Sequence, residues 1–155
     1  MSPKKAKYKK TILTTKEEAI KEAYRYLDNA KQTLARSHIE NDIYRDTKYV
    51  KEAAGTAYLS ALTAIDGYLI GKGIKGDKLP ASFEGYRAAV HKNIPLNGKL
   101  HDSLTVVYQN LHIFAYYRGG VGVEMVKEGF NNAKKILKCC QNNIIQNKKN
   151  LPQRI

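Results

Sequence analysis

The sequence predicts an all-α protein, an antiparallel up-and-down bundle of four long helices plus one short connecting helix. Apolar residues recur every three and four positions through each long segment, which is the signature of a helix with one buried face. Capping residues and glycines fall at the joints between those segments. No stretch alternates apolar with polar residues convincingly enough to compete as a strand, which argues against mixed architectures.

The elements follow in order. Thr15-Lys-Glu-Glu18 has the form of a capping box, in which a hydroxyl and a carboxylate satisfy orphan amides reciprocally. Glu17 and Glu18 also suit the positive end of the helix dipole. Ile20, Ala23, Tyr24, Leu27, Ala30 and Leu34 share a face, so the first helix is expected over 15–37. After the polar stretch His38 to Asp42, a second helix is expected over 43–71. Its stripe is Val50, Ala54, Ala57, Ala61, Ile65 and Leu69, widened by Tyr58, Leu62 and Tyr68. The alanines invite close approach of a neighbouring helix. Gly71 and Gly73 offer left-handed caps, and the chain from Gly73 to Pro80 reads as a loop. Ser82 can cap a short helix over 82–92 with Phe83, Tyr86 and Val90 inward. Pro95, Asn97 and Gly98 break the chain. A helix over 98–118 then places Leu100, Leu104, Val107, Leu111 and Phe114 on one face, although Val106-Val107-Tyr108 and Ile113-Phe114 have strand-prone chemistry. Gly119, Gly120 and Gly122 form a junction. The last helix, over 121–147, carries a seam of Val123, Val126, Phe130, Ala133, Leu137, Cys140 and Ile144, with Ile136 beside it.

A chain of 155 residues fits one domain and can bury roughly two thirds of its unfolded surface without a disulfide or metal staple. No apolar run reaches the roughly 20 residues needed to span a bilayer. Met1 to Lys10 is basic but lacks the apolar core of a secretory signal. The expected location is the cytoplasm, away from membranes.

The formal charge of +13 is unevenly placed. Five lysines crowd residues 1–10 and six basic groups crowd residues 134–155, with no acid in either stretch. Of the 27 basic residues, those eleven leave 16 against 14 acids, so the body carries about +2. The expected organisation is a basic disordered arm at 1–14, a bundle domain at 15–147 and a basic tail at 148–155. Basic ends of this kind are common as solvated tails and as arms that touch phosphate.

Candidate chemistry is sparse. The histidines His38, His91, His101 and His112 lack metal-ligand spacing. His101 and His112, eleven apart on one helix, would share a face about 16 Å from each other, too far for one ion. Asp66 interrupts an apolar stretch and is expected at the stripe's edge rather than in a site. Cys139 and Cys140 read as one flanking and one core-facing thiol, in keeping with a reducing compartment. The glycines at 119, 120 and 122 lack the strand and Lys-Ser/Thr of a phosphate loop. Neither metal nor cofactor is expected. Aromatic and cationic groups do lie side by side at Tyr24-Arg25-Tyr26 and at Tyr116-Tyr117-Arg118. Such groups can stack bases and hold phosphate, or simply cover one another at a bundle rim through cation–π contact. The residues singled out as ligand or phosphate contacts are Tyr116, Tyr117 and Arg118.

Three stretches carry a resemblance: Ala23-Tyr-Arg-Tyr-Leu-Asp-Asn-Ala30; Tyr49-Val-Lys-Glu-Ala-Ala-Gly-Thr-Ala-Tyr58 leading to Ala64-Ile-Asp-Gly-Tyr-Leu-Ile-Gly-Lys-Gly73; and Tyr116-Tyr-Arg-Gly119 opening a terminal helix. On these the chain resembles the HEPN-like four-helix bundles, and it is similar to a small Bacteroidete-type group of unknown function with this size and helix order. Ribonucleases of that superfamily pair an Arg with a His after four to six intervening residues. Arg118 matches the Arg, but positions 123 to 125 are Val, Glu and Met, and the neighbouring polar residue is Gly119. A guanidinium binds phosphate but does not relay protons at neutral pH.

The resemblance implies a non-catalytic protein-interaction module that forms a homodimer or binds a nucleotidyltransferase-like partner. The alanine-rich second helix offers the face for such pairing. Two alternatives stand beside it: a nucleic-acid-associated protein whose basic ends bind phosphate, and a degenerate ribonuclease acting through Arg118.

Overall fold

The computed structural model of the protein describes residues 15–74 and 76–153, with side chains as far as residue 142. The expected arm at 1–14 therefore lies outside the described residues, as do the side chains of the tail expected from 148. Helix α1 spans Lys16–Leu34, a hairpin pairs β1 (Ile39–Glu40) with β2 (Ile43–Tyr44), and α2 spans Thr47–Gly71. A single 3-10 turn, Gly76–Lys78, leads to the short α3 (Phe83–Asn93). Helix α4 (Gly98–Val106) continues without a break into a π-helical segment, Val107–Tyr117, and α5 runs Val123–Gln153. The architecture is the predicted one, four long helices and a short connector, all-α apart from the hairpin.

Local chemistry explains most of the boundaries. Thr15 accepts from the Glu18 amide at 3.1 Å while the Glu18 carboxylate accepts from the Thr15 amide at 3.1 Å, which is the capping box read from the sequence. Ser82 caps α3 by accepting from the Gly85 amide. Gly73, at φ +93°, closes α2: its amide bonds to the Ile70 carbonyl, and the Ile74 amide bonds to that of Leu69. This paired arrangement needs one left-handed residue just past the helix. Gly71, also expected as a cap, is instead the last helical residue.

Helix α2 begins four residues later than expected. Asn41 and Asp42 both take positive φ, 54° and 59°, forming the two-residue turn whose twist suits a tight hairpin. Asp46 then caps α2 by accepting from the Lys48 amide, and Ser37 accepts from the Asp46 amide. The hairpin gains a third partner across the bundle, because the Tyr44 amide donates to the Val121 carbonyl and the Val123 amide to that of Asp42. The expectation of no strand is corrected to this extent. Strands of two residues are too short to show periodicity in a sequence.

Helix neighbours run antiparallel. A Cβ on Gly67 would sit 3.1 Å from Ala19, and one on Gly71 would sit 3.0 Å from Lys16, so the end of α2 lies by the start of α1. Tyr24 of α1 bonds Gln141 of α5 at 3.0 Å, while Lys31 and Leu34 share a groove with Lys127 and Phe130. Asn110 of the π segment donates to the Met125 carbonyl of α5 at 3.0 Å. Every α2 alanine of the expected stripe is fully buried inside the chain, together with Ala53 and Ala64. Helix α2 packs chiefly along α1, then along α5 and the π segment. The small-residue face is thus occupied within the chain and is not a surface offered to a second one.

The π segment corrects one inward residue. In i→i+5 bonding a turn holds more than four residues instead of 3.6. Inward positions then recur every four, at Val107, Leu111 and Ala115, all fully buried. Phe114, inward by α-helical counting, is 51% exposed. The segment ends by widening further: the Arg118 amide bonds to the Ile113 carbonyl and the Gly120 amide to that of Phe114 at 2.7 Å. In α5, Val123, Val126, Phe130, Ala133, Ile136, Leu137 and Cys140 are buried as expected. Cys139 is half-buried, so the vicinal thiols divide between core and flank.

Candidate functional site

Four-residue spacing on the π segment also builds a second stripe, one position on from the buried one. Tyr108, His112 and Tyr116 follow one another along it: His112 is stacked with Tyr116 at 5.9 Å between ring centroids and tilted against Tyr108 at 5.4 Å. Phe83 of α3 caps one end, 3.8 Å from Tyr108 and nearly parallel to it. Tyr58 of α2 lies 4.7 Å from the His112 ring and 6.2 Å from Tyr108. Stacked and tilted aromatic pairs at these separations add attraction beyond their burial. Burial, with Tyr108 beside it, pushes the Tyr58 phenol up to about 12.

Tyr116 sits on α2 where the backbone is bare: a Cβ on Gly55 would come within 3.1 Å of its ring. An open groove of about 430 Å³ runs here, lined by Glu52, Gly55, Thr56, Tyr58, Leu59, Leu62, His112 and Tyr116. Leu59 and Tyr116 remain 45% and 48% exposed. Large apolar groups grouped on one face in this way mark an interaction surface more than a scattered surface leucine does.

The residues singled out from sequence divide between two settings. Tyr116 belongs to the ladder. Tyr117 is 72% exposed, and Arg118 is exposed and makes no ion pair among the described residues. Arg118 follows the last π-helical residue and precedes the loop to α5, so the Tyr-Arg-Gly stretch closes one helix rather than opening the next. At this corner a Cβ on Gly119 would sit 3.4 Å from the Lys51 side chain, which brings a second cation to the head of the ladder. Around Arg25 the expected cation–π cover is present, with the guanidinium 5.4 Å from the Tyr26 ring and also bonded to Glu22.

Other candidates have ordinary roles. Asp66 is partly buried and accepts from the Tyr86 hydroxyl at 2.9 Å. Burial, and then Asp66 itself, hold the Tyr86 phenol protonated far into alkali. His101 meets His91, with ring centroids 6.0 Å apart, while His112 joins the ladder. No group of three His, Cys, Asp or Glu side chains among the described residues could hold a metal ion. No helix of the described residues is long and apolar enough to cross a membrane.

Sequence reasoning missed Tyr58, Phe83, Tyr108 and His112 as members of one surface. The signal was available as aromatic rings at 108, 112 and 116, a repeat of four that keeps to one helix face, whereas Tyr58 and Phe83 reach that face from other helices. No curated protein matches the chain. A solved structure of a protein of unknown function from Dyadobacter fermentans is similar to it, at 33% identity and a TM-score of 0.71. The match covers 83% of this chain and 98% of that one. The family model described as Domain of unknown function (DUF5618) matches residues 18–142, and the chain belongs to that family.

Proposed function

We propose that the protein is a non-catalytic interaction module of the HEPN-like type, acting in the cytoplasm, which pairs with a second copy of itself across the ladder face. The observation that carries this reading is the aromatic row Phe83–Tyr108–His112–Tyr116, left half open beside Leu59 and the Gly55 groove. Aromatic anchors in an apolar groove are the usual energetic centre of a protein interface. Because residues 11–133, which hold the ladder face, carry 16 basic against 14 acidic groups, about +2, two copies can approach through that face without strong repulsion.

Helix order, size and the Tyr116-Tyr117-Arg118 stretch support the HEPN-like reading, and the missing histidine at 123–125 supports a module without cleavage chemistry. A nucleotidyltransferase-like partner on the same face would be the heteromeric form of this reading. Light scattering across a concentration series tests it. The wild-type chain should give a dimer mass, and a Leu59→Glu/Tyr116→Ser variant of unchanged circular dichroism should give a monomer. A strictly monomeric wild type at high concentration would overturn self-association.

A second reading is favoured by one observation, the Lys51 side chain lying beside Gly119, next in the chain to the exposed Arg118. Two cations next to a stacking platform suit single-stranded nucleic acid. In that case a labelled single-stranded RNA should bind with an affinity that falls steeply with salt. Arg118→Ala should flatten the salt slope by about one unit, and a slope left unchanged rules the corner out.

A further inference from the structure

The hairpin carries a free edge beside a second groove. In an antiparallel pair, residues alternate between those that exchange bonds with the partner strand and those that turn their backbone groups away. The Arg45 amide donates to the His38 carbonyl, so 38 with 45, and 40 with 43, are the bonded pairs, while Ile39 and Tyr44 face outward. On the Tyr44 side the outward groups meet the chain before α5 at Val121. The equivalent N–H and C=O of Ile39 meet none of the described residues. An unpaired edge of this kind is a template for one more strand.

Residues opposite one another project to the same face. Ile39 and Tyr44 accordingly both line an open groove of about 510 Å³, with Leu34 and Phe130 also in its wall. Ile39 remains 48% exposed. The charged residues lining the groove are Lys31 of α1 and Lys127 of α5, with His38 at the edge and no carboxylate. We infer that this groove receives an extended acidic peptide, which adds a strand residue to the Ile39 edge, places that residue's apolar side chain between Leu34 and Phe130, and sets flanking carboxylates against Lys31 and Lys127. Backbone pairing would supply affinity and the groove selectivity, as in other strand-addition complexes. The commitment to an acidic peptide follows from the cationic rim, and the commitment to an extended one from the geometry of the free edge.

The probe is a fluorescein-labelled Asp-Val-Leu-Val-Asp peptide, read by anisotropy with the full-length protein. It should bind at low salt and weaken as salt rises. Lys31→Glu/Lys127→Glu should weaken it at least tenfold. Ile39→Pro removes only the outward N–H, since proline is tolerated where a strand's N–H faces solvent, and should cost at least tenfold as well. The same peptide N-methylated at its leucine should lose at least tenfold against the wild-type protein, which controls for any change in the hairpin. Leu59→Glu, on the ladder face, should leave peptide binding unchanged, so failure here is separable from failure of self-association. No binding at low salt, or equal binding of the N-methylated peptide, overturns the inference. Binding of octanoate alone would overturn it in favour of a small amphiphile. A sedimentation shift caused by Lys31→Glu/Lys127→Glu would overturn it in favour of a second copy.

Discussion

The two halves of the bundle solve the same packing problem with different helices. In the first half, α1 and α2 meet through alanine and glycine at regular α-helical spacing, with Gly67 against Ala19 and Ala57, Ala61 and Ala64 fully buried. Small residues allow close approach, and ordinary turns keep them in register. In the second half, larger side chains line the contact, and the chain from Val107 to Tyr117 widens to i→i+5 bonding. Leu111 lies directly on Gly129 of α5, whose missing side chain makes room for it. One half therefore removes bulk from both surfaces; the other removes it from α5 at Gly129 and changes the winding of the facing segment. The aromatic ladder lies on this same segment, beside the groove.

That contrast can be broken from either side. Filling the small-residue seam with Ala57→Leu should be the most damaging change, costing about 3 kcal/mol by overpacking and read as a lower urea midpoint with unchanged slope. In the second half, Gly129→Ala places a Cβ 2.5 Å from the buried Leu111 side chain. A glycine-to-alanine change within a helix ordinarily stabilises by about 0.5–1 kcal/mol; here the contact should reverse the sign, for a net loss of about 1–2 kcal/mol. Thermal unfolding distinguishes the two, because a gain in Tm would mean that the helices do not touch at Gly129.

A smaller effect should appear in alkali. The Tyr58 phenol titrates near 12 in the fold, against about 10 in an unfolded chain. Between those values the unfolded state sheds the proton first, so stability falls as pH rises through the window. Tyr58→Phe should flatten that decline in chemical-denaturation curves taken from pH 10 to 12, whereas an unchanged slope would show that Tyr58 is solvated.

Much of the first half was legible because its determinants are local and periodic. The Thr15 and Ser82 caps, the left-handed Gly73 and the alanine stripe each act within a few residues, and each stands where the sequence placed it. The hairpin was not legible, since its strands are two residues long and its signal was the Asn41-Asp42 pair alone. Nor was the π segment: a wheel drawn at 3.6 residues per turn sends Phe114 inward, whereas it is 51% exposed. The candidate site was legible only in part. Tyr116 was found because it adjoins Arg118 in the chain; Tyr108 and His112 share its face at spacings of four, while Phe83 and Tyr58 join them only through packing of other helices.

The winding itself is open to one direct measurement. Phe114→Cys and Ala115→Cys, each made with Cys139 and Cys140 replaced by Ala, differ only in which adjacent position carries the thiol. Labelling with a maleimide under native conditions should be fast at position 114 and slower by at least tenfold at position 115. Protection at 114 with rapid labelling at 115 would return the segment to ordinary α-helical winding and contradict the account.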